Sequence, residues 1–210
     1  MGSLGRSLHC SASNGSSQKL RKRKVKNMKI WIDAGHGGKD PGAVHPSGRR
    51  ESDDNLKYAN ELAKQFRAKG FTVVMPRTGN ESISINDRCA LERKNGCVLA
   101  LSCHRNGATP AATGFEAWIH SRAPESFIQW GKSIAEKITP LGLKTRGIYR
   151  GAPGYTDFGV NRLTNSPSML LELGFVTNDQ DNAVFDQKLS QLCKAIVDGC
   201  IEFLKERGKL

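Results

Sequence analysis

The sequence predicts a single α/β domain built on a largely parallel sheet with helices packed against it. The chain has 210 residues, a length typical of one domain. Short apolar runs of strand length alternate with amphipathic segments of helical period, which is the pattern of βαβ units. Several of the apolar runs end in polar residues, as parallel strands do where a ligand binds at their carboxyl ends.

The first strand is predicted at residues 30–32, where three large apolar residues follow a basic run. It stops at a turn containing Gly35, Gly37 and Gly38, which tolerate backbone angles closed to other residues. His36 lies within this turn, at the carboxyl end of the strand, where a side chain is well placed to act on a ligand. Taken alone, it is more often a solvent-facing loop histidine.

The remaining elements follow in order. Apolar residues from Leu56 to Phe66 recur every three or four positions, which predicts an amphipathic helix closed by a left-handed cap at Gly70. Further strands are predicted at residues 71–75, 98–102, 115–120 and 169–173, and further helices at residues 87–94, 127–138 and 185–204. Residues 142–165 show no clear period and are predicted to form a loop over the site.

The charge of the chain is strongly positive and uneven. The formal net charge is +12, of which residues 1–27 supply +7, because they contain seven Lys or Arg and no acid. Since Gly, Ser and Asn fill this segment, we expect residues 1–27 to be a disordered basic leader, some of which could derive from cloning, and residues 28–210 to be the folded domain. No segment has the apolar core of a signal peptide or the length to span a membrane.

The six cysteines do not predict a disulfide framework or a zinc site. None of them forms a CxxC pair, and a chain of this length does not need disulfides to be stable. Cys193 and Cys200 are seven residues apart, so they share one face of the last predicted helix as small apolar residues. We therefore expect reduced thiols.

Four polar residues stand out by their positions. His36, His104 and Glu172 each lie at or near the carboxyl end of a predicted strand, and Glu51 opens the first predicted helix. Two imidazoles and a carboxylate with an open fourth position are a common catalytic zinc set, and a second carboxylate can accept the proton of the attacking water. The pattern favours a metallohydrolase.

Each of these residues also has a purely structural explanation. Glu51 could only complement the helix dipole, and His104 could be a hydrogen-bonded core histidine. Glu172 is harder to explain in this way, because its carboxylate lies among the apolar residues of the run Met-Leu-Leu-Glu-Leu-Gly-Phe. A carboxylate in such surroundings needs a partner or a chemical task.

Five motifs occur in a specific order along the chain. They are Asp33-Ala34-Gly35-His36-Gly37-Gly38, Glu51 with Asn55-Leu56, Arg77 before a helix containing Arg88, Ser102-Cys103-His104-Arg105-Asn106, and Glu172-Leu173-Gly174-Phe175 with Asn178. With these motifs the sequence, from about residue 29 to residue 204, resembles the zinc-dependent N-acetylmuramoyl-L-alanine amidases of bacterial wall hydrolases and phage endolysins.

The resemblance implies Zn²⁺ held by His36, Glu51 and His104, with Glu172 as the catalytic carboxylate, and it assigns no substrate-binding residues. It also implies one α/β domain with a mixed, twisted sheet of six strands. The reaction would be hydrolysis of the amide between N-acetylmuramic acid and L-alanine of the peptidoglycan stem peptide. The enzyme, made in the cytoplasm, would act on the cell wall after secretion or lysis. Arg105 replaces a small residue of the family, and we expect it to point away from the metal.

Three other functions remain as alternatives. A zinc peptidase that cuts within the stem peptide would use the same metal set. A wall-binding module without catalysis would not need all four polar residues. A nucleic-acid-binding protein is suggested by the basic charge, but that charge is concentrated in the leader and no recognition helix or stacking-aromatic module is visible.

Overall fold

The computed structural model describes residue 25, residues 27–151 and residues 157–210. Within these ranges six strands span Lys29–Ala34 (β1), Thr72–Val74 (β2), Leu99–Asn106 (β3), Phe115–Ile119 (β4), Thr145–Arg150 (β5) and Ser168–Phe175 (β6). The α-helices of the same ranges span Glu51–Ala68 (α1), Ile85–Asn95 (α2), Glu125–Ile138 (α3), Gly159–Leu163 (α4) and Asp179–Glu206 (α5).

The six strands form one mixed sheet in the order β2-β1-β3-β6-β4-β5. Strands β2, β1, β3 and β6 run parallel, and their register sets His104 of β3 beside Glu172 of β6. Strand β4 runs antiparallel to β6 and sets Glu116 on the other side of Glu172, while β5 runs parallel to β4. The predicted α/β fold with a mostly parallel, mixed sheet of about six strands is therefore confirmed.

The two faces of the sheet are covered unequally, because successive strand residues point to opposite faces. Helices α1, α3 and α5 cover one face and enclose the main core with residues such as Leu62, Ile134 and Phe185. The short helices α2 and α4 cover part of the other face, where a smaller cluster includes Trp31 and Leu170. His104 and Glu172 alternate with main-core residues along their strands, so they lie on this second face.

Three predicted boundaries can be compared directly with the structure. Helix α1 begins at Glu51, as predicted, and the chain turns at Gly70, whose φ is +93°. Strand β3 continues to Asn106, beyond the predicted end at residue 102, because it still pairs with β6 after its pairing with β1 ends at Cys103. His104 consequently lies within a strand and not in the loop after it.

The prediction that residues 142–165 form a loop is wrong, because β5 and α4 lie within this segment. Strand β5 is at the edge of the sheet and is only partly buried, so its sequence lacks an apolar alternation. Helix α4 has five residues, which is too short for a helical period to show. The same segment does contribute Phe158 and Gly159 to the cavity that contains Glu172; residues 152–156 lie outside the described residues.

Most of the predicted basic leader, residues 1–24 and residue 26, also lies outside the described residues. Val25 packs against the main core and Met28 is buried, so among the described residues the core includes positions from residue 25 onward. None of the helices in the described ranges has the length and apolar composition to cross a membrane. The described cysteines, which exclude Cys10, are free thiols, and Cys193 and Cys200 are buried as predicted.

A buried ion pair links β3 to α1. Arg105 is fully buried and donates from Nη1 to Asp54 Oδ2 at 2.6 Å and from Nε to the carbonyl of Leu173 at 3.1 Å. Its guanidinium also lies 4.3 Å from the centre of the Phe185 ring in α5. Arg105 therefore points into the main core and away from the His104 side chain, as expected from the sequence.

Replacing Asp54 by Asn should destabilise the fold strongly. The substitution leaves the buried Arg105 guanidinium without its charged partner, which typically costs about 3–5 kcal/mol of unfolding free energy. Asp198→Asn is the matched control, because it removes the exposed Lys194–Asp198 pair of α5 and should cost less than about 0.5 kcal/mol. Urea unfolding of both variants measures the difference, and equal losses would show that the buried pair contributes no more than a surface pair.

Candidate metal centre

The turn after β1 sets the direction of the His36 side chain. His36 has a φ of +60°, an uncommon left-handed conformation for a residue other than glycine, and Gly37 follows with a φ of +116°. His36 Nδ1 lies 2.7 Å from Asp40 Oδ2, and the other oxygen of Asp40 accepts from the Gly42 amide at 3.0 Å. Asp40 thereby orients the imidazole so that its Nε2 faces Glu51.

Two buried arginines hold the backbone of this turn. Arg77 donates to the carbonyl of Ala34 at 3.1 Å and to the carbonyl of Gly35 at 2.9 Å. Arg88 donates at 2.6 Å both to the carbonyl of Ala34 and to the carbonyl of His36. Arg88 is itself fixed by an ion pair with Asp33, at 2.7 Å. Arg77 and Arg88, which form one of the sequence motifs, thus position the turn that carries His36.

His36, Glu51 and His104 form a compact cluster at the carboxyl end of the sheet. His36 Nε2 lies 3.2 Å from Glu51 Oε2, and His104 Nδ1 lies 2.9 Å from Glu51 Oε1. One donor atom from each residue lies within 4.8 Å of the other two. The His104 ring packs on Gly35, where a Cβ would overlap it.

Hydrogen bonds from neighbouring groups hold the Glu51 carboxylate in the cluster. Its side chain is buried, and its Oε2 accepts from the Ala43 amide at 2.9 Å. Its Oε1 accepts from Asn55 Nδ2 at 3.1 Å. A residue that only complemented the helix dipole would not need these donors, so the carboxylate is directed at the two imidazoles.

The charges in the cluster are strongly coupled. Burial lowers the pKa of His36, but its hydrogen bonds and charge attraction to Glu51 and Asp40 outweigh this and raise the pKa to about 9. The pKa of His104 is also raised despite burial, chiefly by its hydrogen bond to Glu51. Burial alone would raise the pKa of Glu51, yet the two imidazoles hold it far below its usual range. The Glu51 carboxylate therefore requires positive charge beside it.

This cluster fits a zinc ion by its chemistry. Two imidazole nitrogens and one carboxylate oxygen are the three-ligand set of catalytic zinc sites, which keep one position open. The donors come from three elements, and hydrogen bonds from outside the set orient His36 and Glu51, as is usual for metal ligands. A cation here would take over the positive charge that protons on the imidazoles otherwise provide.

Glu172 lies next to the cluster, between His104 and Glu116 in the sheet register. Its Oε2 is buried and has no hydrogen-bond partner among the described residues. Burial raises the pKa of Glu172 to about 7; the charge of His104 opposes the rise, while the carboxylates of Glu51 and Glu116 add to it. A carboxyl group that titrates near neutral pH can accept a proton and return it.

All four residues predicted for the site line one cavity in the structure. Asp40 has no role in the sequence prediction, and Glu116 is only its substitute candidate for the proton carrier. Glu116 accepts from Asn106 Nδ2 at 3.0 Å and from Arg146 Nε at 2.6 Å, which keeps a second carboxylate close to Glu172. An acid within the apolar run of β4 was a usable signal for Glu116, whereas Asp40 lies in an irregular turn without any periodic signal.

Several known proteins are similar to this chain in sequence and in fold. The sequence model of the N-acetylmuramoyl-L-alanine amidase family matches residues 30–202. YqiI of Bacillus subtilis is 30% identical over 184 residues, which cover 83% of this chain and 84% of YqiI. The endolysin of Bacillus phage SPP1 is 30% identical over 190 residues, which cover 86% of this chain and 67% of the endolysin. The crystal structure of N-acetylmuramoyl-L-alanine amidase from Clostridium difficile 630 aligns with a TM-score of 0.77 at 30% identity, covering 85% of this chain and 97% of that one. The chain therefore belongs to the N-acetylmuramoyl-L-alanine amidase family.

Proposed function

We propose that this protein hydrolyses the amide bond between N-acetylmuramic acid and L-alanine in peptidoglycan, using Zn²⁺ held by His36, Glu51 and His104. One observation carries the proposal: in a member of an amidase family, two imidazoles and a carboxylate converge beside Glu172, whose buried Oε2 has no hydrogen-bond partner among the described residues. The cell wall, reached after secretion or lysis, is the proposed place of action.

The chain's own residues have distinct tasks in this reaction. Zinc held by the cluster would polarise the amide carbonyl and make a water molecule more acidic. Glu172 accepts the proton of the attacking water at its free Oε2 and transfers it to the leaving nitrogen of L-alanine. Without metal, burial raises the pKa of Glu172 to about 7, and a zinc ion beside it would lower this pKa, so that the carboxylate would be ionised and able to accept the proton. Asp40, through His36, is a positioning residue.

The cavity around these groups has a volume of about 270 Å³. Ile85, Phe158 and Leu170 line it beside the polar cluster, and Ile85 and Phe158 are exposed apolar side chains. Such a surface can bind apolar parts of a substrate next to a few polar groups that orient the reacting bond.

Digestion of purified peptidoglycan, followed by mass analysis of the fragments, tests this function against its alternatives. The proposed reaction releases stem peptides with a new amino-terminal L-alanine and leaves glycan strands with free lactyl carboxylates. A peptidase that cuts within the stem would instead expose a different amino terminus. A wall-binding module without catalysis would release no fragments.

Substitutions should separate the metal ligand Glu51 from the proton carrier Glu172. Glu51→Ala should lose both zinc and activity, because it removes one of the three protein ligands. Glu172→Gln keeps the shape of the side chain but removes its basic oxygen, so it should retain zinc and lose turnover by roughly 10²–10⁴-fold. Zinc content and amide hydrolysis are measured on each purified variant.

Glu136→Gln is the matched control for these variants, because Glu136 is an exposed residue of α3. It should retain zinc and the parental rate. Near-parental hydrolysis by Glu172→Gln with zinc bound would show that another group carries the proton, and Glu116 would be the next residue to replace.

The apparent zinc affinity should rise with pH between 7 and 9. Without metal, the pKa of His36 is raised to about 9, so zinc must displace a proton at lower pH. Each displaced proton should strengthen binding by up to about tenfold per pH unit, and His104, whose pKa is also raised, contributes a second proton while it is charged. Competition with a chelator of known affinity measures this slope.

Asp40→Asn is the control for the pH dependence, because it removes one partner that stabilises protonated His36. Its zinc affinity should change less steeply over the same pH range. An affinity that is constant from pH 7 to 9 in the parent protein would contradict a site in which imidazoles are metal ligands held by Glu51.

We also propose that the residues before Val25 are not part of the folded domain that includes residues 28–210. Deleting residues 1–24 should leave the thermal midpoint and the zinc content unchanged, because a basic, Gly- and Ser-rich segment buries little apolar surface. Deleting residues 1–28 is the matched control and should destabilise, since it removes Val25 and the buried Met28. Differential scanning calorimetry compares the two, and unfolding of the shorter deletion would refute the proposed boundary.

A further inference from the structure

A second cavity, of about 410 Å³, lies at the opposite end of the sheet from the metal cluster. Ser168, the first residue of β6, contributes to it, whereas Glu172 is four residues further along that strand, about 13 Å away. Around Ser168 the lining includes His120, Arg122, Arg162 and Arg207. The cavity is therefore separate from the candidate active site and distinctly basic.

The three arginines of this cavity lack acidic partners. Arg122, Arg162 and Arg207 are exposed and form no ion pair with a carboxylate among the described residues. Five other described arginines, namely Arg49, Arg88, Arg105, Arg146 and Arg150, do form ion pairs with Asp or Glu. Three unpaired positive charges around one cavity repel each other, so an anion bound between them would relieve that repulsion.

The carboxylates of Asp157 and Glu92 already contact residues that line the cavity. Asp157 accepts from the amide of Ser121 at 2.7 Å and lies 3.2 Å from His120 Nε2. The buried carboxylate of Glu92 accepts from the amides of Asn165 and Ser166 at 3.0 and 3.3 Å. Both carboxylates stabilise the loops that form the cavity, and neither is among its lining residues.

Parts of the basic lining are held in place without a ligand. The Arg207 guanidinium lies over the rings of Phe203 and Phe127, 5.4 and 5.9 Å from their centres. His120 Nδ1 accepts from the Arg122 amide at 3.0 Å, which fixes the turn that carries Arg122. Ordering these groups in advance lowers the cost of binding an anion.

We propose that this cavity binds a phosphate group. Guanidinium groups match phosphate oxygens with paired, charge-assisted hydrogen bonds, and three arginines line this cavity. The volume is within the range of pockets that hold small organic ligands, so the cavity accommodates a phosphate ester as well as the free ion.

Calorimetric titration of the full chain with inorganic phosphate and with glycerol 3-phosphate tests the site, and glycerol is the uncharged control. Both phosphates should bind saturably, and glycerol should not. Tighter binding of glycerol 3-phosphate than of inorganic phosphate identifies an ester as the preferred source of the group, and equal binding identifies the free ion. The double variant Arg122→Gln, Arg207→Gln should weaken phosphate binding by about tenfold or more.

Arg67→Gln is the matched control, since Arg67 is exposed on α1, away from the cavity, and has no carboxylate partner among the described residues. It should change phosphate affinity by less than about twofold. Thermal unfolding establishes that each variant is folded. In the parent protein, phosphate should shift the amide NMR signals of residues 120–123, 162–168 and 207. Shifts centred elsewhere, or equal weakening by Arg67→Gln and the double variant, would overturn the proposal.

Discussion

Two buried guanidinium groups stabilise the turn on which the candidate metal centre depends. The carbonyl oxygens of Ala34, Gly35 and His36 accept hydrogen bonds from Arg77 and Arg88. A buried carbonyl without a donor costs about 1–3 kcal/mol, so the left-handed turn at His36 depends on both arginines. The same turn brings Gly35 against the His104 ring, so the relative positions of the two imidazoles follow from it.

The residues of the candidate site could be predicted where they depend on local pattern and topology. His36, His104 and Glu172 were recognisable because the strands that carry them are short apolar runs, and parallel strands bring such positions to one end of a sheet. Glu51 was recognisable only together with them, since an acid at a helix start has an ordinary explanation. The register that sets His104 beside Glu172 agrees with that reasoning.

Other features depend on contacts between distant parts of the chain, which leave no periodic signal. The partner of Arg105 is Asp54, 51 residues earlier, so the sequence shows a large residue beside a proposed ligand but not the ion pair that holds it. Strand β5 is stabilised by pairing with β4 and not by an apolar pattern of its own. Asp40 faces His36 because of the path of an irregular turn, which local propensity does not determine.

The Arg105–Asp54 pair has a consequence for how a polymer would be recognised. Arg105 adjoins His104 on β3, Asp54 lies one helical turn after Glu51 on α1, and Phe185 stacks on the guanidinium from α5. Strand β3 and helix α1, which carry His104 and Glu51, are thereby held against each other and against α5. These three elements are therefore held in one arrangement before a ligand binds. The conformational entropy lost on binding therefore falls mainly on the polymer, which favours segments that already present an extended, accessible amide bond.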